Sequence, residues 1–242
     1  MSSIAKALLP FALLLAAPVF AEPTSPDLRA GLETLAAEGN GEAVYHLAML
    51  HHLGLEGFDK DPAKALALFR QAAAEGDPLG EYKLGCYYDG QGEGLVEVDT
   101  EEALTHKLIA AEAGYALAQH DVAKLYYEKG DTEEALKWLL VSARQGYRPS
   151  LQALASLYVG EGKVAADPAS AFAYATLLHG EANVPDRVRK WLDDTHAGLT
   201  PEENERAQTI ISSWKIEPTP LTLKAASGLD AAKELVAAPS EP

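Results

Sequence analysis

One short phrase recurs along this chain and limits what it can fold into. AAEGNGEAVYHLA, AAAEGDPLGEYKLG, AAEAGYALAQHDVA and SARQGYRPSLQALA set Gly39, Gly76, Gly114 and Gly146 at steps of 37, 38 and 32 residues. An alanine stands eleven residues before each of the last three glycines: Ala65, Ala103 and Ala135. Spacing inside the phrase is constant and spacing between phrases varies, so the length differences belong to loops. A period in the thirties with that property marks stacked helical hairpins, each burying its apolar face against its neighbours.

Each half of the phrase has a physical sense. The helix ending at Gly76 keeps apolar residues at helical spacing, and a glycine after a helix takes the left-handed conformation without a side-chain penalty. Asp61-Pro62 at its start offers an N-cap aspartate and a proline at the first helical position. Asp99-Thr-Glu-Glu, Asp131-Thr-Glu-Glu and Asp167-Pro168 repeat that start. After each glycine a second helix carries an anchor of a large and a small residue: Leu47-Ala48, Leu84-Gly85, Val122-Ala123 and Leu154-Ala155. Ala43, Gly80, Ala118 and Ser150 lie one turn before the anchors, and His51, Tyr88, Tyr126 and Tyr158 one turn after. These positions share one helix face. Small residues there let two helix backbones approach closely.

Four such units run from about residue 41 to 180. A lone helix over residues 26–38 precedes them as an N-terminal cap. A helix pair over residues 186–197 and 201–214 follows, the second opened by the capping-box pattern Thr200-Pro-Glu-Glu203. The repeat domain therefore spans residues 22–214, and the chain is expected to be an all-α, right-handed superhelical α/α solenoid. Residues 215–242, with Pro218, Pro220, Pro239 and Pro242 among small residues, are expected to be a disordered tail. The competing reading is that LDAAKELVAA forms a short amphipathic helix that docks.

The pattern resembles the Sel1-like repeat family, relatives of the tetratricopeptide repeat, over roughly residues 27–214. The residues carrying it are the A-x-x-x-L-G-x-x-Y type of helix after the glycine and the A-x-x-W-x-x-x-A-A-x-x-G type of helix before it. Trp138 matches the family's aromatic directly; Leu68, His106 and Tyr174 stand at its equivalents. The resemblance implies a scaffold for binding protein partners. A cysteine-rich branch of the family is associated with penicillin binding or weak β-lactamase activity. This chain has a single cysteine, Cys86, so that association transfers poorly.

Residues 1–21 have the layout of a secretory signal peptide: Lys6, the apolar run ALLPFALLLAA, and small residues at Val19 and Ala21. Cleavage is expected after Ala21 and a periplasmic location follows. No later segment approaches the ~20 apolar residues of a membrane span. The formal net charge is −16, which repels nucleic acid and anionic lipid. It suits a basic protein partner, although acidity is also a common solubility device.

The residues offer no catalytic constellation: neither G-x-S-x-G, H-E-x-x-H nor C-x-x-C is present. His46 and His51 lie five positions apart, whereas two ligands on one helix need i, i+3 or i+4. His51 also occupies a packing position, so no metal or cofactor is expected. Cys86 sits in an apolar helical pattern and reads as a small buried residue. The chain is therefore read as a non-enzymatic adaptor. An immunity protein that neutralises an exported toxin is the alternative.

In a hairpin solenoid, the helices after each glycine line the concave face. The stripe two before, two after and five after each anchor reads Tyr45, Met49, His52; Tyr82, Cys86, Asp89; His120, Lys124, Tyr127; and Gln152, Ser156, Val159. Aromatic residues at half-exposed positions suit binding, because they offer contact area at little entropy cost. The expected site is thus a concave groove holding a protein or peptide. The alternative is that these side chains fill the space between neighbouring repeats.

Overall fold

The computed structural model describes residues 25–92, 94–160, 162–180 and 184–238; the signal-peptide segment lies outside them. The described residues form helices and connecting turns, with no strand among them. Helix α1 (Ser25–Ala37) is followed by four hairpins: α2 (Gly41–Leu53) with α3 (Pro62–Ala74), α4 (Pro78–Cys86) with α5 (Thr100–Glu112), α6 (Ala116–Lys129) with α7 (Thr132–Arg144), and α8 (Arg148–Tyr158) with α9 (Pro168–His179). Helices α10 (Asp186–Gly198), α11 (Pro201–Ser212), α12 (Pro220–Ser227) and α13 (Leu229–Ala237) complete the chain. Consecutive helices pack on one another from α1 to α9, and α11 returns to pack on α9. This is an all-α repeat solenoid.

The glycine joints account for the stacking. Gly39, Gly76, Gly114 and Gly146 all have φ between 85° and 99° or just below, and the same two-bond closure recurs at each. At the second joint Gly76 N–H donates to the Ala73 carbonyl at 2.9 Å and Asp77 N–H to the Ala72 carbonyl at 2.9 Å. Asp61, Asp99, Asp131 and Asp167 cap the helices that follow the loops, each side chain accepting a first-turn N–H. Thr200 and Glu203 form the expected capping box. Small residues bring helices together: a methyl on Gly80 would stand 2.7 Å from Ala72 Cβ, and one on Gly85 2.7 Å from Lys107 Cγ.

The helices after the glycine joints are capped unequally. Asn40 and Asp77 accept N–H groups of their own helices, from Ala43 at 3.0 Å and Gly80 at 2.6 Å. Tyr115 and Tyr147 hold the same position in the next two units and supply no side-chain cap. The C-terminal segment covers these two joints, and this overturns the expectation of a disordered tail. Glu217 N–H donates to the Arg144 carbonyl at 2.8 Å. Ile216 lies against Gly146 and Thr219 against Gly114, where a side chain on either glycine would crowd them. Thr219 Oγ1 donates to the Gly114 carbonyl at 2.8 Å. Thr222 Oγ1 accepts the Ala116 N–H at 2.9 Å and donates to Gln145 Oε1 at 2.7 Å.

The tail then reaches the opposite end of the solenoid. Lys224 Nζ pairs with Glu42 at 2.7 Å. Leu229, Ala232, Leu235 and Val236 pack with Leu28 and Leu32 of α1 and Leu47 and Leu50 of α2. A methyl on Gly31 would overlap Val236. Pro218 and Pro220 thus lie on an ordered path: Pro220 is in the first turn of α12, behind the Thr219 N-cap; Pro239 and Pro242 lie outside the described residues.

Candidate functional site

The expected concave stripe divides into three groups of residues with different surroundings. Its middle part lies between repeats. Tyr82 is 8% exposed and Cys86 4%, and both join the core formed by α4, α5 and α6. Tyr82 O–H donates to Asp121 at 3.2 Å, and its ring meets Tyr115 edge-on at 5.0 Å. Burial raises the pKa of Tyr82 and of the Cys86 thiol above their ordinary values. Tyr82 therefore does not present a free face to a partner. Stacking turns each hairpin against the next, so Tyr82 of α4 meets Tyr115 and Asp121 of the following unit.

Lys107 runs through the same layer with no exposed surface. Its ammonium contacts Asp89 at 2.6 Å and Asp121 at 3.0 Å. Burial alone would lower its pKa; Asp121 and Asp89 outweigh burial and hold it above the ordinary value. Asp89 reaches Lys107 because a π-helical turn, Tyr87–Gln91, follows α4 and bends the backbone there. His120 belongs to another inter-repeat chain. Ser150 O–H donates to Ser142 at 2.8 Å and Ser142 O–H to the Ala116 carbonyl at 2.7 Å. His120 Nδ1, 2.9 Å from Ser150 Oγ, is then the donor, since the only proton on Ser150 is already committed. Burial lowers the pKa of His120.

The N-terminal part of the stripe lies under the tail or against the first loop. Tyr45 and Met49, with His46, Leu53, Leu55 and Leu79, line a half-open pocket of about 130 Å³ flanked by Lys224, Ala225, Leu229 and Ala232 of the tail. His52 packs against Phe69 and Tyr87. His51 is buried and meets Phe58 edge-on at 4.9 Å. Tyr127 of α6 meets the loop after α8: Lys163 N–H donates to its hydroxyl at 3.2 Å, and the Lys163 ammonium lies 5.1 Å from its ring centre. Lys124 is exposed and near Glu128 at 3.8 Å. Among the described residues no group of three His, Cys, Asp or Glu side chains is arranged to hold a metal ion.

The C-terminal part of the stripe opens onto a groove. Arg148, Gln152, Ser156 and Val159 follow one another along one face of α8. Ala175, Leu178 and His179 of α9 form the second wall, and Arg187, Val188 and Trp191 of α10 the third. The groove is open to solvent and has a volume of about 650 Å³. Trp191 is half-buried and packs on the core around Leu154 and Tyr174, which fixes its ring as part of the wall.

The charge of this groove opposes that of the chain. Arg148, His179 and Arg187 line it, and among the described residues no aspartate or glutamate does. Neither arginine has a hydrogen-bond or ion-pair partner among the described residues, although acids outnumber bases 36 to 20 in the sequence. A guanidinium beside apolar walls attracts a carboxylate more strongly than one in open water, and its planar fork takes it through two bonds. Sequence reasoning named Gln152, Ser156 and Val159 but not Arg148, Arg187 or Trp191. The signal was present: Arg148 lies one turn before Gln152, and DRVRKWL sets Arg187 four residues before Trp191.

The Sel1 repeat model matches residues 41–77, 78–115, 116–147 and 150–177. The chain belongs to the Sel1 repeat family. Sel1 repeats form a protein-interaction scaffold, typically without enzymatic activity. The matched segments coincide with the four hairpins, and the boundaries at 77–78 and 115–116 fall at the glycine joints. Among solved structures, the fold is similar to a Sel1 repeat protein from Oxalobacter formigenes (26% identity, covering 53% of this chain and 97% of that one, TM-score 0.47). It is also similar to a protective antigen of uropathogenic Escherichia coli with an SLR fold (20% identity, 87% and 51% covered, TM-score 0.44). A third likeness is to an immunity protein of Pseudomonas aeruginosa (20% identity, 87% and 83% covered, TM-score 0.47). No curated protein matches the chain by sequence.

Proposed function

We propose that this Sel1 repeat protein is a periplasmic adaptor that holds an acidic, apolar-anchored segment of a protein partner in the groove between α8, α9 and α10. The observation that carries this is the pair Arg148 and Arg187, unpartnered among the described residues and set around Trp191. Trp191 and Leu178 offer apolar area for an anchor, and the arginines offer two unpaired cations for carboxylates beside it. Net charge alone favoured a basic partner; the local charge of this groove favours the opposite sign. The signal-peptide layout of residues 1–21 supports action outside the cytoplasm.

The test is selection of random displayed peptides on the full chain, followed by the same selection on an Arg148→Glu/Arg187→Glu variant. The wild-type chain should enrich peptides with Asp or Glu beside a large apolar residue, and the variant should not retain them. Enriched peptides that bind both chains equally would rule the groove out.

A further inference from the structure

We propose that the α8–α10 groove takes its partner segment as an extended chain lying in one direction, with the acidic residue at the end where α8 and α10 begin. This rests on the acidic-segment reading of the groove and adds the conformation and direction of the occupant. The direction follows from the topology of the three walls. Asp167 N–H donates to the Tyr158 carbonyl at 2.9 Å, so α9 starts beside the end of α8 and runs back along it. Phe172 stacks on His196 at 4.9 Å, and Trp191 packs on the same core cluster as Leu178, so α10 runs back along α9 in turn. Arg148 is the first residue of α8, His179 the last of α9 and Arg187 the second of α10. All three therefore stand at one end of the groove. Toward the other end, Ser156 and Val159 line it and carry no charge. Both α8 and α10 begin without a side-chain cap, so their first N–H groups add to the positive end, opposed in part by the C-terminus of α9. Asp186 is exposed beside them and does not line the groove.

The conformation follows from the width of the groove and from its unused polar groups. Arg148 and Val159 stand about 16 Å apart along α8 at 1.5 Å per residue. A volume of about 650 Å³ over that length leaves a cross-section of roughly 40 Å², or about 6 Å across. An α-helix with its side chains is about 10–12 Å wide, whereas an extended strand lies about 4.8 Å from its neighbour. Gln152 and Ser156 are exposed one turn apart on the α8 wall, and neither side chain has a hydrogen-bond partner among the described residues. Their rise of about 6 Å is close to the two-residue repeat of an extended chain, about 6.6 Å, at which successive backbone groups face the same side. A helical occupant has already paired those backbone groups internally and leaves Gln152 and Ser156 unused.

The experiment measures fluorescence anisotropy of the full chain with three labelled probes. Two are linear, end-capped glycine-serine peptides that carry Leu-Ser-Asp or the reverse order Asp-Ser-Leu, which put the leucine and the acid on one side of an extended chain. The third is a stapled helix with its leucine and aspartate four residues apart. One linear order should bind about tenfold more tightly than the other and than the helix. Replacing both polar side chains, Gln152→Ala with Ser156→Ala, should weaken that peptide about fivefold and leave the thermal midpoint unchanged. Equal binding of the two linear orders, or tighter binding of the helix, overturns the proposal. If Arg148→Glu/Arg187→Glu still abolishes binding in that case, the acidic-segment reading of the groove stands without it. If none of the three probes binds, both fall.

Discussion

Thr222 caps a helix that begins 106 residues earlier in the chain: its hydroxyl accepts the Ala116 N–H at 2.9 Å. The first two units of the solenoid cap themselves through Asn40 and Asp77; α6, which starts after Tyr115, takes its cap from the tail. Replacing Thr222 with valine keeps the shape and removes the acceptor. The expected loss is about 1–2 kcal/mol in urea unfolding, the usual cost of a lost cap with a buried partner left open. Thr222→Ser should recover most of it. If valine were neutral, the hydroxyl would contribute no stability to the fold.

Lys107 should be far less tolerant of change than its place on the outer helix of a hairpin suggests. Lys107→Met keeps most of the volume but leaves Asp89 and Asp121 as two carboxylates around a site with no cation. A loss of about 3–5 kcal/mol near neutral pH is expected, as for other half-broken buried pairs. The gap to the wild type should narrow toward about pH 4, because the uncompensated carboxylates take up protons. Chemical unfolding of both proteins across that range measures this.

Asp77 makes the wild type pH-sensitive in the other sense. Burial pushes its carboxyl up from 3.8 to about 6, with nearby Glu42 adding to the rise and the Gly80 N–H, His46 and Lys224 opposing it. The folded state thus binds a proton that the unfolded chain has lost, so this residue's contribution falls as pH rises from about 4 to about 6. Asparagine is an equally good cap, and Asn40 fills the same position in the preceding unit. Asp77→Asn should therefore match the wild type near about pH 4. It should exceed it by about 1–2 kcal/mol above about pH 7. Equal pH profiles for the two proteins would contradict this.

The groove arginines should matter for binding and not for folding. Arg148 and Arg187 are exposed and unpaired among the described residues, so Arg148→Ala and Arg187→Ala should each change stability by less than about 0.5 kcal/mol. Each should weaken a selected acidic peptide about tenfold or more at low salt. The difference should shrink as salt is raised past about 150 mM, where exposed charges are screened. Calorimetric titration of the variants against one selected peptide separates the two effects.

The fold was legible because its signals are local. Glycine at Gly76, proline at Pro62 and aspartate at Asp61 each fix a backbone state within a few residues, and the repetition of all three fixes the stacking. The groove was less legible. Which neighbour covers Tyr82 depends on the rotation between successive hairpins, and no single helix carries that information. The tail had a signal of a different kind. Tyr115 and Tyr147 stand where Asn40 and Asp77 provide caps, and Thr219 and Thr222 near the C-terminus answer a need created a hundred residues earlier. Such complementarity is visible only when both ends of the chain are considered together.

The contact of α13 with α1 has a consequence for how this molecule can change its size. Most repeat arrays grow or shrink by duplicating or losing a unit, because each unit touches only its neighbours. Here one short segment touches Gly146, Gly114, Glu42 and Leu28 in turn. An added hairpin would carry α1 out of reach of Val236, and a deleted one would leave the tail too long for its seat. Residues 216–236 act as a measuring strip that accepts four units and rejects three or five.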